Sequence, residues 1–336
     1  MELRGTTAEV VDALSAWVRA DDEEPLVVET SGSTGRPKRV VLSRRAVLAS
    51  ISATARRLGG EGRWLLALPA AYVAGAQVVC RSVTAGEPPL LLEDHPSLAA
   101  AVEAGRPAYA SLVPTQLHRL LDDEEQVQAL RSLRTVLLGG GPIDPELRAR
   151  AAGAGVRVVA TYGSAETAGG CVYDGVALDG VALATEPDGR LRVGGPTLFE
   201  RYDGDPALTA RVLVDGWFRT EDAARLDEDG RLQVLGRLDD MVVTGGVNVP
   251  APAVARRLRE HPAVREVEVL GVPDEEWGTR LVAFVVGELS LEEARAWVAE
   301  RHPRSWAPRQ LVAVEALPLL VNGKVDRVGL AAQARP

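Results

Sequence analysis

The chain has 336 residues and a formal net charge of −9, with 46% apolar and 25% charged side chains. That length holds one large domain plus a small one, and the composition is ordinary for a soluble globular protein. The acidic balance excludes a nucleic-acid backbone or an anionic membrane as main partner, and no apolar run approaches the roughly 20 residues that cross a bilayer.

Met1–Ala20 lacks the basic-then-apolar layout of a secretory signal. Cys80 and Cys171 are the only cysteines and form no CxxC pair. Neither a disulfide framework nor a zinc site is expected, and a reducing cytoplasm is the expected compartment. Leu26–Glu29 is a predicted strand, with β-branched Val27 and Val28. Ser43 reads as an N-cap for a helix running to Leu58 and closed by Gly59 and Gly60. Trp64–Leu68, Leu90–Leu92, Ala108–Leu112, Thr135–Leu138 and Val156–Thr161 are further predicted strands. Helices are predicted over Ser97–Ala104 and over Pro145–Ala152, the latter with proline just inside its start. This alternation predicts a mostly parallel, helix-covered sheet.

Near Gly175 the texture changes. Asp188-Gly189-Arg190 and Asp229-Gly230-Arg231 are turn signals between short strands, a small antiparallel β region. After Arg237 the pattern becomes that of a compact α+β unit. Its helices are expected at Pro250–Glu260 and Leu291–Arg301, and its strands at Val264–Val272, Leu281–Val286 and Leu311–Val314. The fold class is therefore α/β, with residues 1–238 as a large N-terminal domain and 239–336 as a small, mobile C-terminal one.

One loop carries chemistry by composition. Thr30-Ser31-Gly32-Ser33-Thr34-Gly35-Arg36-Pro37-Lys38 follows a strand and packs four hydroxyls, two glycines and two bases into nine residues. Glycines let consecutive N–H groups face an anion, hydroxyls add donors, and Lys38 adds charge. The loop suits a triphosphate, although its spacing is not that of a Walker A loop. Downstream stand Gly139-Gly140-Gly141, Thr161-Tyr162-Gly163-Ser164-Ala165-Glu166-Thr167, Gly216-Trp217-Phe218-Arg219-Thr220-Glu221-Asp222, Gly236-Arg237-Leu238-Asp239 with Gly245-Gly246, and Val321-Asn322-Gly323-Lys324.

In content and order these motifs resemble those of the acyl-adenylate-forming family: acyl-CoA synthetases, firefly luciferase and the adenylation domains of peptide synthetases. The resemblance runs from about residue 26 to about residue 330. It implies an enzyme that uses ATP, Mg²⁺ and coenzyme A to turn a small-molecule carboxylate into an acyl-AMP and then an acyl-CoA. It assigns Thr30, Ser31, Gly32, Ser33, Thr34, Gly35 and Lys38 to the phosphates. Gly139, Gly140, Gly141, Tyr162 and Gly163 line the adenosine site, Asp222 and Arg237 hold the ribose, and Glu166 meets Mg²⁺. Asp239 is the hinge of the small domain, Gly245 and Gly246 face the active site during thioester formation, and Lys324 is the catalytic lysine. Two positions depart from the family form. Ala165 stands where a threonine usually contacts phosphate, so that either Ser164 or Thr167 substitutes or the contact is lost, and Glu221 stands where glycine is usual.

The chain is short for the family, with 29 residues before the phosphate loop. Together with Pro69–Gly75 and Gly169–Gly175, this resembles the short bacterial 2-succinylbenzoate–CoA ligases of menaquinone (vitamin K2) synthesis. Tyr72, Ser111 and Thr115 are candidate acyl-pocket residues, and a homodimer is the common assembly in such enzymes. The alternatives are adenylation of another aryl, fatty or amino acid, or a non-catalytic adenylate-binding protein.

Overall fold

Apolar runs and helical stretches alternate from Trp64 to Tyr173, and the runs become strands of one sheet. The computed structural model describes residues 1–20, 24–30, 38–238, 241–318 and 325–334. Among these, a seven-stranded sheet runs in the spatial order Leu90–Leu91, Trp64–Leu66, Tyr109–Leu112, Thr135–Leu138, Val158–Ser164, Gly169–Tyr173 and Val176–Ala177. The first five strands are parallel and the last two antiparallel.

Successive strand residues point to opposite faces, and both faces are covered. Trp64, Leu66, Tyr109 and Leu137 pack into one core with helices Thr7–Arg19, Arg44–Leu58 and Val73–Thr84. Leu65, Ala110, Leu112, Val136 and Leu138 pack into another, under helices Leu98–Gly105, Pro114–Leu120, Glu124–Ser132 and Pro145–Gly153. Ser43 caps Arg44–Leu58 through the Ala46 N–H, and Gly59 closes that helix in the left-handed region at φ 79°.

Leu26–Glu29 does not join this sheet. It pairs antiparallel with Arg39–Leu42, which pairs with Arg201–Tyr202. The reason is the connection: parallel strands need a crossover of a dozen or more residues, and Thr30–Lys38 is too short for one.

The chain divides into two compact units. One comprises Met1–Ala184, Arg192–Thr220 and Leu226–Leu232, and the other Thr185–Leu191, Glu221–Arg225 and Gln233–Pro336. In the second, Val264–Asp274 and Gly278–Gly287 form an antiparallel ladder, and Gln310–Ala313 runs parallel to Gly278–Gly287. Leu281, Ala283 and Val285 face helices Ala251–Arg259 and Leu291–Ala299, whereas Val282 and Phe284 face Leu330 of helix Arg327–Gln333. Among the described residues, no helix is long and apolar enough to cross a membrane.

Candidate active site

A cavity of about 140 Å³ opens in the first unit beside the carboxyl ends of the parallel strands. Open α/β sheets bind ligands at such ends. Leu112, Val113 and Leu137 supply apolar wall, and Gly139, Gly140, Gly163, Gly169 and Gly170 supply bare backbone. Two of these glycines are required by contact. A Cβ on Gly139 would sit 2.3 Å from Thr161 Oγ1, and one on Gly163 would sit 2.1 Å from the Gly169 carbonyl oxygen. Backbone is thus exposed to the cavity where side chains would fill it. Gly141 does not line it.

The polar lining is Gln77, Arg81, Ser111, Thr161 and Tyr173. Arg81 is 7% exposed, and its polar and ring contacts among the described residues are with Tyr173 and Trp64 and not with a carboxylate. Its guanidinium lies 5.1 Å from the Trp64 ring centroid, and Nη2 donates a long bond of 3.4 Å to the Tyr173 hydroxyl. Its Nε has no hydrogen-bond partner. Burying an unpaired cation costs several kcal/mol, and a cation–π contact returns only about 0.5–2 kcal/mol. A guanidinium held this way is short of an anion. Gln77, four residues earlier on the same helix, donates Nε2 to the Ala168 carbonyl at 2.8 Å and leaves Oε1 unpartnered. Neither residue belongs to a family motif. Their signal in the sequence is two long polar side chains on one face of an otherwise apolar helix.

Glu166 sits in a short 3₁₀ turn, 7% exposed, and its Oε1 accepts from the Tyr202 hydroxyl at 2.8 Å. Lys38 Nζ lies 5.5 Å from the Tyr202 ring centroid. Tyr202 therefore brings the predicted magnesium residue and the predicted phosphate lysine around one ring. Among the described residues no group of three or more His, Cys, Asp or Glu is arranged to hold a metal ion by itself. One oriented carboxylate fits Mg²⁺, which keeps waters and takes phosphate oxygens for most of its shell. Thr30 and Lys38 clasp the phosphate loop at its ends: Thr30 N–H donates to the Lys38 carbonyl (2.9 Å) and Lys38 N–H to Thr30 Oγ1 (3.0 Å). Ser31, Gly32, Ser33, Thr34 and Gly35 lie outside the described residues, as do Asp239 and Lys324.

Beside Ala165, the two possible substitutes separate. Thr167 Oγ1 accepts from Ser164 N–H (2.9 Å) and donates to the Gly169 carbonyl (2.7 Å), so the turn itself consumes it. The buried Ser164 hydroxyl oxygen has no partner. Tyr162 is half-buried on strand Val158–Ser164.

In the second unit, Arg237 pairs with Glu221 and lies 3.8 Å from Asp222. Glu221, flagged only as a departure, is thus an ion-pair partner of the predicted ribose arginine. Gly245 and Gly246 form the turn between Met241–Thr244 and Val247–Pro250 with φ of 55° and 78°, the double left-handed geometry of a tight hairpin. A Cβ on Gly245 would sit 2.7 Å from the Trp277 ring.

Of the three acyl-pocket candidates, Ser111 (8% exposed) lines the cavity. Tyr72 is 46% exposed at the start of helix Val73–Thr84, and Thr115 is exposed on helix Pro114–Leu120; neither lines it. The helix phase explains Thr115: its neighbour Gln116 turns inward, accepting from Val113 N–H and donating to the Ala67 carbonyl. Both cysteines are free and buried, and burial pushes each thiol up to about 12. Neither supplies a thiolate near neutral pH, so a thioester formed here takes its sulfur from a second substrate.

The family model described as AMP-binding enzyme matches residues 16–202, and that described as AMP-binding enzyme C-terminal domain matches 254–324. The chain belongs to the AMP-binding enzyme family, the adenylate-forming acyl-CoA ligases. It is 43% identical to a probable 2-succinylbenzoate–CoA ligase of Mycobacterium tuberculosis, covering 96% of this chain and 87% of that protein. It is 33% identical to a 2-succinylbenzoate–CoA ligase of Listeria monocytogenes, over 90% of this chain and 68% of that one. Among solved structures it is similar to o-succinylbenzoate CoA synthetase from Bacillus subtilis in complex with the acyl-adenylate intermediate OSB-AMP. That match has a TM-score of 0.76 at 28% identity and covers 91% of this chain and 68% of the other.

Proposed function

We propose that this enzyme converts 2-succinylbenzoate, ATP and coenzyme A into the CoA thioester, AMP and pyrophosphate, a step of menaquinone synthesis. The observation that carries the reading is Arg81, a buried guanidinium without an acid in the cavity of an adenylate-forming fold. A dicarboxylate activates one carboxylate and must bury the other, and a planar fork of donors is the natural partner for it. The names of the relatives point to the same diacid.

In this reading the phosphates of ATP lie on Thr30–Lys38, its adenine against Gly139, Gly140 and Tyr162, and its ribose on Asp222 and Arg237. Ser164 takes the phosphate contact that Ala165 cannot make. When bound at Glu166, Mg²⁺ supplies charge to the phosphate oxygens, and Tyr202 holds that carboxylate in place. The substrate carboxylate attacks the α-phosphorus, pyrophosphate leaves, and Lys324 stabilises the charge that builds between them. No side-chain nucleophile is needed, because positioning and electrostatics lower the barrier. The small domain then turns about Asp239, and the hairpin at Gly245 and Gly246 borders the path of CoA. The CoA thiol attacks the acyl carbon and AMP departs. Use of ATP and CoA supports a cytoplasmic reaction.

The test is pyrophosphate release with ATP, Mg²⁺ and 2-succinylbenzoate, with and without CoA. The expected result is release that needs the acid, and a CoA thioester by mass spectrometry once CoA is added. Release only with monocarboxylates would discard the diacid. Absence of release with any acid, alongside measurable ATP binding, would favour a non-catalytic adenylate-binding protein.

A further inference from the structure

We propose that Tyr173, anchored by Thr54, positions the Arg81 guanidinium and thereby sets the preference for a diacid over a monoacid. The inference rests on the dicarboxylate reading above and adds to it a residue pair outside every motif of the fold.

Tyr173 ends strand Gly169–Tyr173, and its side chain is 1% exposed. Its hydroxyl lies 3.0 Å from Thr54 Oγ1 and 3.4 Å from Arg81 Nη2. A guanidinium only donates, so the phenol oxygen accepts from Arg81, and it shares a second hydrogen bond with the Thr54 hydroxyl, in which either oxygen can donate. Thr54 belongs to helix Arg44–Leu58 and is 1% exposed. The Tyr173 hydroxyl is thus held between Arg81 and Thr54. Trp64 holds the face of the guanidinium, with its ring centroid 5.1 Å away. The face contact fixes the plane and the phenol fixes rotation within it. Nε is sealed within the protein without a partner, so the Nη hydrogens not given to Tyr173 are those left for a carboxylate.

The space around Arg81 says where that carboxylate arrives. Arg81 also lines a second cavity of about 10 Å³, together with Thr54, Glu61 and Trp64. That volume holds about one water and no carboxylate. The ligand therefore meets Arg81 from the 140 Å³ cavity, which Tyr173 lines and Thr54 does not. Thr54 acts from behind. An arginine side chain with four rotatable bonds would otherwise lose its pointing direction in the absence of an acid, and the phenol replaces the acid as the fixed point. Because Tyr173 is neutral, it orients the cation without cancelling its charge.

The experiment measures KM and kcat for 2-succinylbenzoate and for the two monoacids that each keep one of its carboxylates, 3-benzoylpropionate and 2-butanoylbenzoate. The variants are Tyr173→Phe, Thr54→Val, Thr54→Ser and Arg81→Met. Tyr173→Phe and Thr54→Val are expected to raise the diacid KM about five- to tenfold. The diacid-to-monoacid preference should fall by the same factor. Thr54→Ser keeps the hydroxyl and should retain the native preference, and Arg81→Met should erase it. An erased preference in Arg81→Met beside an intact one in both Tyr173→Phe and Thr54→Val would overturn the positioning role and leave the diacid reading standing. A preference that survives Arg81→Met would overturn both. Equal KM increases for all three acids would reduce Tyr173 to a packing residue and also end the proposal. Thr54→Val, nearly isosteric and outside the larger cavity, keeps the test open should Tyr173→Phe fold poorly.

Discussion

Among the described residues each unit buries one arginine, and the two are treated in opposite ways. Arg257, in the second unit, has a side chain 4% exposed. Its Nη1 meets Glu260 at 2.9 Å, its Nη2 meets Glu300 at 2.6 Å, its Nε donates to the Trp297 carbonyl at 3.0 Å, and its plane lies 3.8 Å from the Trp297 ring centroid. Arg81, in the first unit, has the ring and one phenol but no acid among the described residues. A fold that compensates one buried guanidinium so fully does not leave the other uncompensated for stability's sake. The difference separates a structural cation, whose anions are built in, from a recognition cation, whose anion is brought by the substrate.

Substitution of both arginines by methionine breaks or sharpens that contrast. Arg81→Met is expected to lower kcat/KM for 2-succinylbenzoate about 100- to 1000-fold, roughly 3–4 kcal/mol, the scale of removing one partner of a buried charge pair. The same variant should unfold in urea at an equal or higher denaturant concentration, because an unpaired buried charge has gone. A clear loss of stability in Arg81→Met would make it a structural cation after all. Arg257→Met should do the reverse, lowering unfolding free energy by about 2 kcal/mol with KM for the acid unaltered. The cost is held down by Glu260 and Glu300, which are 34% and 60% exposed and can turn to water.

Ser164→Ala tests an orphaned group of the same kind. Its hydroxyl bonds nothing in the fold, so its loss should leave the urea midpoint in place while slowing adenylation about tenfold, measured as pyrophosphate release at saturating acid. A shifted midpoint with normal adenylation would assign the hydroxyl to the turn instead. The smallest effect belongs to His302, stacked 5.0 Å from Trp306 in the second unit. Burial, and then the charges of Arg256, Arg225 and Arg257, hold its imidazole below the ordinary value against a weaker opposing pull from Glu260. The folded state therefore prefers the neutral ring. As pH falls through the ordinary imidazole range the unfolded chain takes the proton first, so stability drops over that window and is flat above it. A urea midpoint followed from neutral to mildly acid pH should show this slope, and His302→Asn should lessen it.

What could be read before the fold was known shares one property: it is local. The cap at Ser43 and the stop at Gly59 depend on residues a few positions apart, and both appear as expected. The misplacement of Leu26–Glu29 shows the limit. A β-rich run announces a strand but not its neighbour, and the length of Thr30–Lys38 decided the pairing. Thr115 shows another limit, because a hydroxyl near the right strand still depends on helix phase to face the cavity.

The sequence alone established the reaction family, because each of its motifs is a contiguous string whose geometry its own backbone sets. Only tertiary structure could reveal the residues argued to select the substrate. Arg81 meets Tyr173 across 92 positions of chain and Tyr173 meets Thr54 across 119, joining two helices and a strand at one point. No periodicity records such a meeting, because a polar side chain within an apolar helix looks the same whether its partner is built in or absent. Packing distinguishes the two, by setting in the wall of a ligand-sized cavity a charge that the fold has left without an acid.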